Sequence, residues 1–292
     1  MNLALLPDVL AGAIVLSGIY LLIALSWVII FRASKLWNFA TGQFLVLAGF
    51  IAATMIGAGV NYWVATLVVV GVMAVMGVLT YRFLLRPLAG QEMYAPFIVT
   101  LGLGIVIQGL IPIIWGPNNL PLKAPFSNDR IDLPFGITLT TNDLIVPIVA
   151  VVVYVGLLAF LRWTKVGGQM RAANESTILA SQSGMNVWLL FGIAFAIAFA
   201  ALALAGIASG QRSLVALSAI PLGLKGLVPA MLGGLNSVGG AAVGAVFVAV
   251  VESMVVLYLG ADWSNLVVFA ILLLVLALRP HGLFGKAEAV RV

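Results

Sequence analysis

Runs of apolar residues long enough to cross a lipid bilayer recur along this chain. A transmembrane helix needs about 20 predominantly apolar residues, and nine stretches approach or reach that length. They cover residues 9–31, 36–57, 62–81, 95–116, 144–161, 187–209, 214–235, 238–259 and 264–278. The pattern predicts an all-α integral membrane protein with about nine transmembrane or broken helices in a single domain over residues 1–292.

The composition supports a membrane environment and excludes several kinds of site. Hydrophobic residues make up 63% of the chain and charged residues 8%, whereas a soluble domain is about half apolar and about a quarter charged. Because the chain has no cysteine and a single histidine, disulfides, thiolate metal sites and histidine clusters are excluded. We therefore expect no metal and no cofactor. The net charge of +5 is spread over short loops, so a nucleic-acid partner is not expected either.

Lysines and arginines are distributed unevenly among the loops that connect the apolar runs. With the N-terminus outside and nine crossings, ten of these residues fall in inner loops and three in outer loops. Positively charged loop residues favour the cytoplasm. The split therefore predicts an N-terminus outside the cell and a C-terminus in the cytoplasm.

Residues 214–235 form the least regular of the nine runs. They contain Pro221, Lys225 and Pro229 together with four glycines, and proline and glycine interrupt helices. A broken helix that crosses the membrane is favoured, since a re-entrant segment would reduce the charge split to seven inside and six outside. The first case gives nine crossings and the second gives eight.

Two loops are long enough to carry structure of their own. Residues 117–143 are polar and contain several prolines, and we expect them to form a partly ordered outer loop. Residues 162–186 form the longest cytoplasmic loop, in which Met170 to Gln182 is rich in alanine and lacks proline and glycine. We predict one short helix there, ended by Gly184, because glycine is preferred just beyond a helix C-terminus.

Glu252 is an acidic residue in the interior of a predicted span. An intramembrane carboxylate costs about 3 kcal/mol on insertion scales, so it faces a partner or water. Two interpretations are open. The carboxylate lines a translocation path or relays protons, or it is a hydrogen-bonded carboxyl that fixes helix packing.

A second polar cluster lies in the second apolar run, where Asn38, Thr41 and Gln43 fall within six residues. Three hydrogen-bonding side chains beside Gly42 can line a polar path or stabilise a break in a helix. With Glu252, these three residues are the candidates for a translocation path.

Several motifs resemble those of one family and occur in the same order. They include Asn38-Phe39-Ala40 with Gly42, Thr100-Leu101-Gly102, Gly168-Gln169-Met170-Arg171-Ala172-Ala173-Asn174-Glu175, Gly184-Met185-Asn186, Leu232-Gly233-Gly234-Leu235 and the ending Arg279-Pro280-His281-Gly282-Leu283-Phe284-Gly285. Together they resemble the permease subunits of bacterial branched-chain amino acid ABC importers, in particular the shorter of the two membrane subunits. The family usually has His and Glu where this chain has Thr41 and Gln43.

The resemblance implies an ABC importer permease-like fold and a transport subunit that is not itself an enzyme. It implies a second related permease subunit, two cytoplasmic ATP-binding subunits and an extracytoplasmic substrate-binding protein as partners, within the lipid bilayer of a bacterial inner membrane. A heterodimer of permeases is implied, although a homodimer stays open. The cargo would be branched-chain or other small amino acids, with urea, short amides and aromatic acids as further possibilities.

A permease of this kind must receive force through a rigid cytoplasmic segment that docks on a separate ATPase. The resemblance gives this coupling role to the loop of residues 162–186, within which residues 170–184 are the docking segment. Such docking needs small residues for close approach and charges that fix the register. The candidates are Arg171, Ala172, Ala173, Glu175, Ala180 and Gly184.

The alternative from another class is an ion-coupled secondary transporter, with Glu252 and the cluster from Asn38 to Gln43 as its ion site. Folds of that class usually show two halves of similar pattern. No convincing internal repeat is visible in this sequence.

Overall fold

The computed structural model describes residues 6–88, 91–92, 94–126, 130–133, 137–279 and 282–285, without side chains between 127 and 139. Within these ranges the chain is almost entirely helical. The helices are α1 (Leu6–Ser34), α2 (Thr41–Gly57), α3 (Tyr62–Leu79), α4 (Tyr94–Trp115), α5 (Thr141–Trp163), α6 (Lys165–Glu175), α7 (Thr177–Gln182), α8 (Val187–Arg212), α9 (Ile220–Lys225), α10 (Leu227–Gly233), α11 (Val238–Leu259) and α12 (Asp262–Leu278). A π-helical turn, Thr80–Leu85, continues α3.

The helices match the nine apolar runs of the sequence. Among the described residues, six helices are long and apolar enough to cross a membrane, namely α1, α3 with its π-helical continuation, α4, α5, α8 and α11. Three shorter apolar stretches, Thr41–Gly57, Leu217–Gly233 and Asp262–Leu278, account for the other three runs. The prediction of an all-α membrane protein is confirmed.

Helix α1 forms the centre of the bundle. In its most apolar window 78% of the residues are buried, against 22% for α4 and 17% for α5. Helices α5, α8, α10 and α11 all pack against α1. Trp27 and Tyr20 of α1 are among the largest fully buried side chains. The outer helices instead expose apolar side chains, as expected for a surface solvated by lipid.

The two ends of the bundle are defined by contacts between distant parts of the chain. At one end, here named the Arg212 end, the Arg212 guanidinium donates to the carbonyl of Gly12 at 3.1 Å. At the opposite end, the Lys35 end, the Lys35 ammonium donates to Asn236 at 3.4 Å.

The irregular segment runs from one of these ends to the other. Val215 pairs with Leu120, which follows the end of α4, whereas Asn236 contacts Lys35. A 3₁₀ turn at Leu217–Ala219 leads into α9, and α10 continues to Gly233. The segment therefore crosses the bundle as a broken helix, as the favoured interpretation predicted.

Close backbone contact explains why α9 contains glycine. A Cβ atom at Gly223 would overlap the backbone of Gly42 in α2, and a Cβ atom at Gly42 would overlap the carbonyl of Ile220. The indole of Trp27 also donates to the Gly223 carbonyl at 3.0 Å. Helices α2 and α9 thus meet through their backbones, beside α1.

The loop between α5 and α8 contains two helices, so the prediction of one helix over residues 170–182 is wrong. Helix α6 begins at Lys165 and ends at Glu175, and α7 begins at Thr177. Ser176 separates them because its backbone is extended and its hydroxyl accepts a hydrogen bond from the Leu179 N–H at 3.2 Å. Serine is a preferred N-cap residue for this reason. Gly184 has φ +79°, as expected for a residue beyond a helix end.

The loop of residues 117–143 contains a two-stranded hairpin. Strands β1 (Arg130–Leu133) and β2 (Ile137–Thr140) pair in antiparallel register, with Arg130 opposite Thr140. Thr140 then caps α5, because its hydroxyl accepts from the Asp143 N–H while Asp143 accepts from the Thr140 N–H. The hairpin leads directly into the transmembrane helix.

Candidate functional site

Glu252 is the centre of a buried polar cluster. Its Oε1 accepts from the Lys225 ammonium at 2.6 Å and from the Ser264 hydroxyl at 2.6 Å. Its Oε2 accepts from the Tyr20 hydroxyl. The Lys225 ammonium also donates to Ser264 at 3.1 Å. These four residues, here named the Glu252 cluster, connect α1, α9, α11 and α12.

The Glu252 cluster is buried in the half of the bundle nearer the Arg212 end. Tyr20, Glu252 and Ser264 each lie roughly 14 residues, or about 21 Å, from the end of their helix nearest the Lys35 end, whereas Ser264 is close to the opposite end of α12. The Lys225 and Glu252 side chains are 14% and 10% exposed. An acid and a base in contact at this depth compensate each other's charge. The cluster therefore fixes the broken helix against its neighbours.

The residue pattern predicted Glu252 but missed its partner. Lys225 is a lysine within an apolar segment, and an intramembrane charge generally pairs with another. That signal was sufficient to suggest the pair Lys225–Glu252. Tyr20 and Ser264 gave no comparable signal, because hydroxyl side chains are common in transmembrane helices.

Asn38, Thr41 and Gln43 lie at the start of α2. Asn38 is fully buried, and its Oδ1 accepts from the Ala40 N–H at 3.2 Å. The Thr41 hydroxyl donates to the Asn38 carbonyl. Two buried atoms, Asn38 Nδ2 and Gln43 Oε1, have no hydrogen-bond partner in the described part of the chain. The structure brings these three residues together, and among the described residues none of them is hydrogen-bonded to the Glu252 cluster.

Helix α4 covers this polar group. A Cβ atom at Gly104 would lie 3.0 Å from the Gln43 carboxamide, so the missing side chain leaves room for Gln43. The Thr100 hydroxyl accepts from the Phe39 N–H at 3.3 Å and donates to the Phe97 carbonyl at 3.0 Å. Thr100 had no predicted role beyond its place in the motif Thr100-Leu101-Gly102, although a threonine in an apolar helix is a recognisable polar signal.

An aromatic group lies beside the polar residues of α2. The rings of Phe39 and Phe97 are 4.7 Å apart between centroids, and those of Trp27 and Phe39 are 5.6 Å apart, both edge to face. Trp37 stacks on Phe39 at 6.1 Å. Helix α1, helix α4 and the segment just before α2 therefore contact one another through aromatic side chains at the Lys35 end.

The predicted coupling residues divide into two sets. Arg171, Glu175 and Gly184 are exposed and Ala172 is half-buried. Ala173 and Ala180 are 2% and 3% exposed because they pack into the core of this chain. The outward surface of α7 instead carries Ile178 and Leu179, which are 72% and 63% exposed.

The family's C-terminal motif contacts the broken helix. The Leu283 N–H donates to the Leu232 carbonyl at 2.8 Å, and the Phe284 N–H donates to the Gly233 carbonyl at 3.3 Å. These are carbonyls at the end of α10 that have no partner within the helix. Gly282 has φ +76°, which glycine adopts without strain. Pro280 and His281 lie outside the described residues.

Comparison with known proteins agrees with this architecture. The family described as "Branched-chain amino acid transport system / permease component" matches residues 9–276. The permease protein LivH of the high-affinity branched-chain amino acid transport system of Escherichia coli (strain K12) is 26% identical, over 96% of each chain. BraD of Pseudomonas aeruginosa, a permease protein of the same kind of system, is 25% identical over 97% of each chain.

One solved structure is also similar to this chain. PsaBC from Streptococcus pneumoniae, in complex with Fab, is 16% identical with a TM-score of 0.48, over 94% of this chain and 91% of that chain. The identification rests on the family match, which spans nearly the whole chain and includes the broken helix and the loop between α5 and α8. The chain belongs to the family of permease components of branched-chain amino acid transport systems and is a multi-pass permease subunit of an ABC importer.

Proposed function

We propose that this chain is one of two related permease subunits that together form the translocation path of an importer for branched-chain or other small apolar amino acids. Two cytoplasmic ATPase subunits would supply the energy, and an extracytoplasmic binding protein would deliver the substrate. The names of LivH and BraD support this cargo. The membrane would be the inner membrane of a bacterium.

The observation that carries the proposal is the exposed apolar pair Ile178 and Leu179 at the Lys35 end. Both belong to α7, which lies outside the spanning helices, between α6 and α8. Exposed apolar side chains away from the lipid mark a protein contact. Arg171 and Glu175 precede this pair along the chain, and their side chains supply the charged groups of the contact. We therefore assign the ATPase contact to Glu175, Ile178 and Leu179, with Arg171 at its inner edge, where α6 adjoins α1.

Ala173, Ala180 and Gly184 act on this contact from inside the loop. The two buried alanines let α6 and α7 lie close to the rest of the chain, and Gly184 turns the chain into α8. Ala172 lies at the edge of the contact, and its small side chain does not obstruct the approach of the ATPase. Movement of the ATPase would therefore be transmitted to the bundle through packed helices.

Charge supports an orientation with the Lys35 end in the cytoplasm. Residues at this end include Arg32, Lys35, Arg86 and Arg171, whereas Lys123 and Arg212 lie at the other end. Positive residues in short loops favour the cytoplasm. The first residues of α1 would then face the outside and the C-terminus the cytoplasm.

We assign the translocation path to the side of the bundle where α2 contacts α4 and α9. Asn38 Nδ2 is a donor and Gln43 Oε1 an acceptor, and both lack partners in the described residues. An amino acid carries a carboxylate and an ammonium group, which need donors and acceptors respectively. Thr41 orients Asn38 through its carbonyl. The Glu252 cluster shapes the path by holding α9, in which Pro221 and Leu224 are exposed.

Reconstitution of the complete complex tests the ATPase contact. Ile178→Ser combined with Leu179→Ser should abolish the stimulation of ATP hydrolysis by the substrate-loaded binding protein, while the permease stays inserted. Gln182→Ser, at an exposed polar position of the same helix, is the matched control and should keep full stimulation. Unchanged stimulation in the double variant would show that α7 does not dock on the ATPase.

The cargo is tested separately. The binding protein that co-purifies with the complex is identified, and its ligand is determined by mass spectrometry. We expect leucine, isoleucine or valine, and uptake of that amino acid should require ATP. A sugar or an inorganic ion as the bound ligand would contradict the proposed cargo.

A further inference from the structure

A membrane-facing crevice separates α5 from α8, and α1 forms its floor. Its volume is about 360 Å³ and its walls are apolar. The residues used below are Leu25 and Ile29 of α1, Gly156 and Phe160 of α5, and Ile193 and Ile197 of α8. Gly156 is exposed and a Cβ atom there would meet nothing within 4 Å. The crevice therefore has room for an apolar chain that enters from the lipid.

A recess with two arginines lies at the Lys35 end of this crevice. It is lined by Ile29, which the crevice shares, and by Arg32, Arg171 and Asn174. Arg32 and Arg171 line the same recess although they belong to different helices. Neither arginine has a carboxylate partner among the residues that the structure describes. Two neighbouring guanidinium groups repel each other, and an anion that contacts both removes this repulsion and accepts their hydrogen bonds.

Asn174 adds a hydrogen-bond acceptor to the recess. Its Oδ1 is buried and has no partner in the described part of the chain. A buried acceptor that lacks a donor is unfavourable, and a ligand with a hydroxyl group would satisfy it.

We propose that the recess and the crevice together bind one anionic glycerophospholipid. The recess holds only about 20 Å³, so the phosphate lies at its open mouth against Arg32 and Arg171, and a hydroxyl of the headgroup enters the recess and donates to Asn174. One acyl chain fills the crevice beside Gly156. Arginine suits phosphate because its donors form a planar fork, and basic pockets between transmembrane helices bind lipid headgroups. A zwitterionic lipid fits less well because it brings its own cation next to two arginines.

Such a lipid would bridge two parts of the permease. Arg32 belongs to α1 and Arg171 to α6. The headgroup would hold α6, and with it the loop of residues 162–186, against the central helix. Lipid binding is a property of this chain alone, so it is tested without reference to transport or cargo.

The test measures lipid binding to the purified complex in nanodiscs. Wild-type complex in phosphatidylcholine should be stabilised against heat by added phosphatidylglycerol and should retain it in native mass spectrometry. Arg32→Gln should weaken this binding about tenfold, the effect of losing a charged hydrogen bond to phosphate. Arg82→Gln is the control, since Arg82 is an exposed arginine at the same end that does not line the recess.

A second pair of variants tests the acyl chain. Gly156→Leu fills the crevice and should reduce phosphatidylglycerol retention with both arginines intact. Gly71→Leu, at an open glycine of α3, should not. Equal losses in the test and control variants, or no loss in Arg32→Gln and Gly156→Leu, would overturn the proposal. Equal stabilisation by inorganic phosphate would show that the arginines bind a free anion and would overturn the lipid assignment.

Discussion

The Lys225 ammonium and the Glu252 carboxylate meet at 2.6 Å, although the two residues are 27 positions apart and belong to different helices. The contact joins the break in the irregular segment to α11, and Ser264 extends it to α12. An ion pair in the interior of an apolar bundle is costly to separate. The ion pair therefore contributes more to the position of α9 than the packing of this short helix does by itself.

Removing one partner of this pair should destabilise the permease more than removing both. We expect Lys225→Met to lower the free energy of unfolding by about 3–5 kcal/mol, because it leaves a buried carboxylate uncompensated. The double variant Lys225→Met with Glu252→Leu should recover most of this loss. Thermal unfolding of the purified complex, followed by tryptophan fluorescence, measures the difference. Equal losses in the single and double variants would show that the pair contributes no coupling.

The charge of Glu252 should not be required for uptake. Glu252→Gln alone leaves the Lys225 ammonium without its counter-charge, so the informative variant is Lys225→Met combined with Glu252→Gln, which removes both charges and keeps the size of the Glu252 side chain. Substantial ATP-dependent uptake should remain in this double variant, measured in proteoliposomes with the complete complex, with and without a proton ionophore. Uptake that collapses with the ionophore and in the double variant, while the double variant stays folded, would favour the ion-coupled carrier.

Adjacent glycines of α11 should differ in their tolerance of a side chain. A Cβ atom at Gly240 would overlap the Gly233 carbonyl of α10, whereas one at Gly239 would lie 3.8 Å from the Tyr154 hydroxyl. Gly240→Ala should therefore destabilise the permease by about 1–3 kcal/mol through overpacking, while Gly239→Ala should be neutral. The amount of folded protein after detergent extraction and its unfolding temperature provide the comparison. Equal tolerance at both positions would mean that α10 and α11 are not in backbone contact.

Gly184 should tolerate asparagine better than valine. Its φ of +79° is accessible to glycine and, at lower cost than for other residues, to asparagine. A β-branched residue there costs about 1–3 kcal/mol. Gly184→Val should therefore reduce ATPase stimulation in the reconstituted complex, and Gly184→Asn should restore most of it. If both variants behave like the native chain, the turn does not position the coupling loop.

The orientation can be read from single cysteines, since the native chain contains none. Lys123→Cys, at the Arg212 end, should react with an impermeant maleimide in intact cells. Ser181→Cys, at the Lys35 end, should react only after the membrane is opened. Both positions are exposed, so accessibility reports the side of the membrane. The reverse pattern would invert the proposed topology.

The class of fold and the course of the chain were predictable from the amino-acid sequence. Nine apolar runs were recognisable because the bilayer fixes the length of a crossing segment. The break in residues 214–235 was recognisable because proline and glycine act locally on the backbone. Ser176 was missed, although its capping preference is also local, because an alanine-rich stretch suggested a continuous helix.

Which faces of these helices contact each other is visible in the packing and could not be predicted from the sequence. In a membrane both the lipid-facing and the buried faces are apolar, and there is no hydrophobic driving force between helices to distinguish them. The inward positions of Ala173 and Ala180 and the outward positions of Ile178 and Leu179 were therefore not predictable. Lys225 was recognisable as an intramembrane charge that needs a partner, but its contact with Glu252 depends on how α9 and α11 pack. Specific close contacts, such as that between Lys225 and Glu252, select one arrangement among many of similar hydrophobicity.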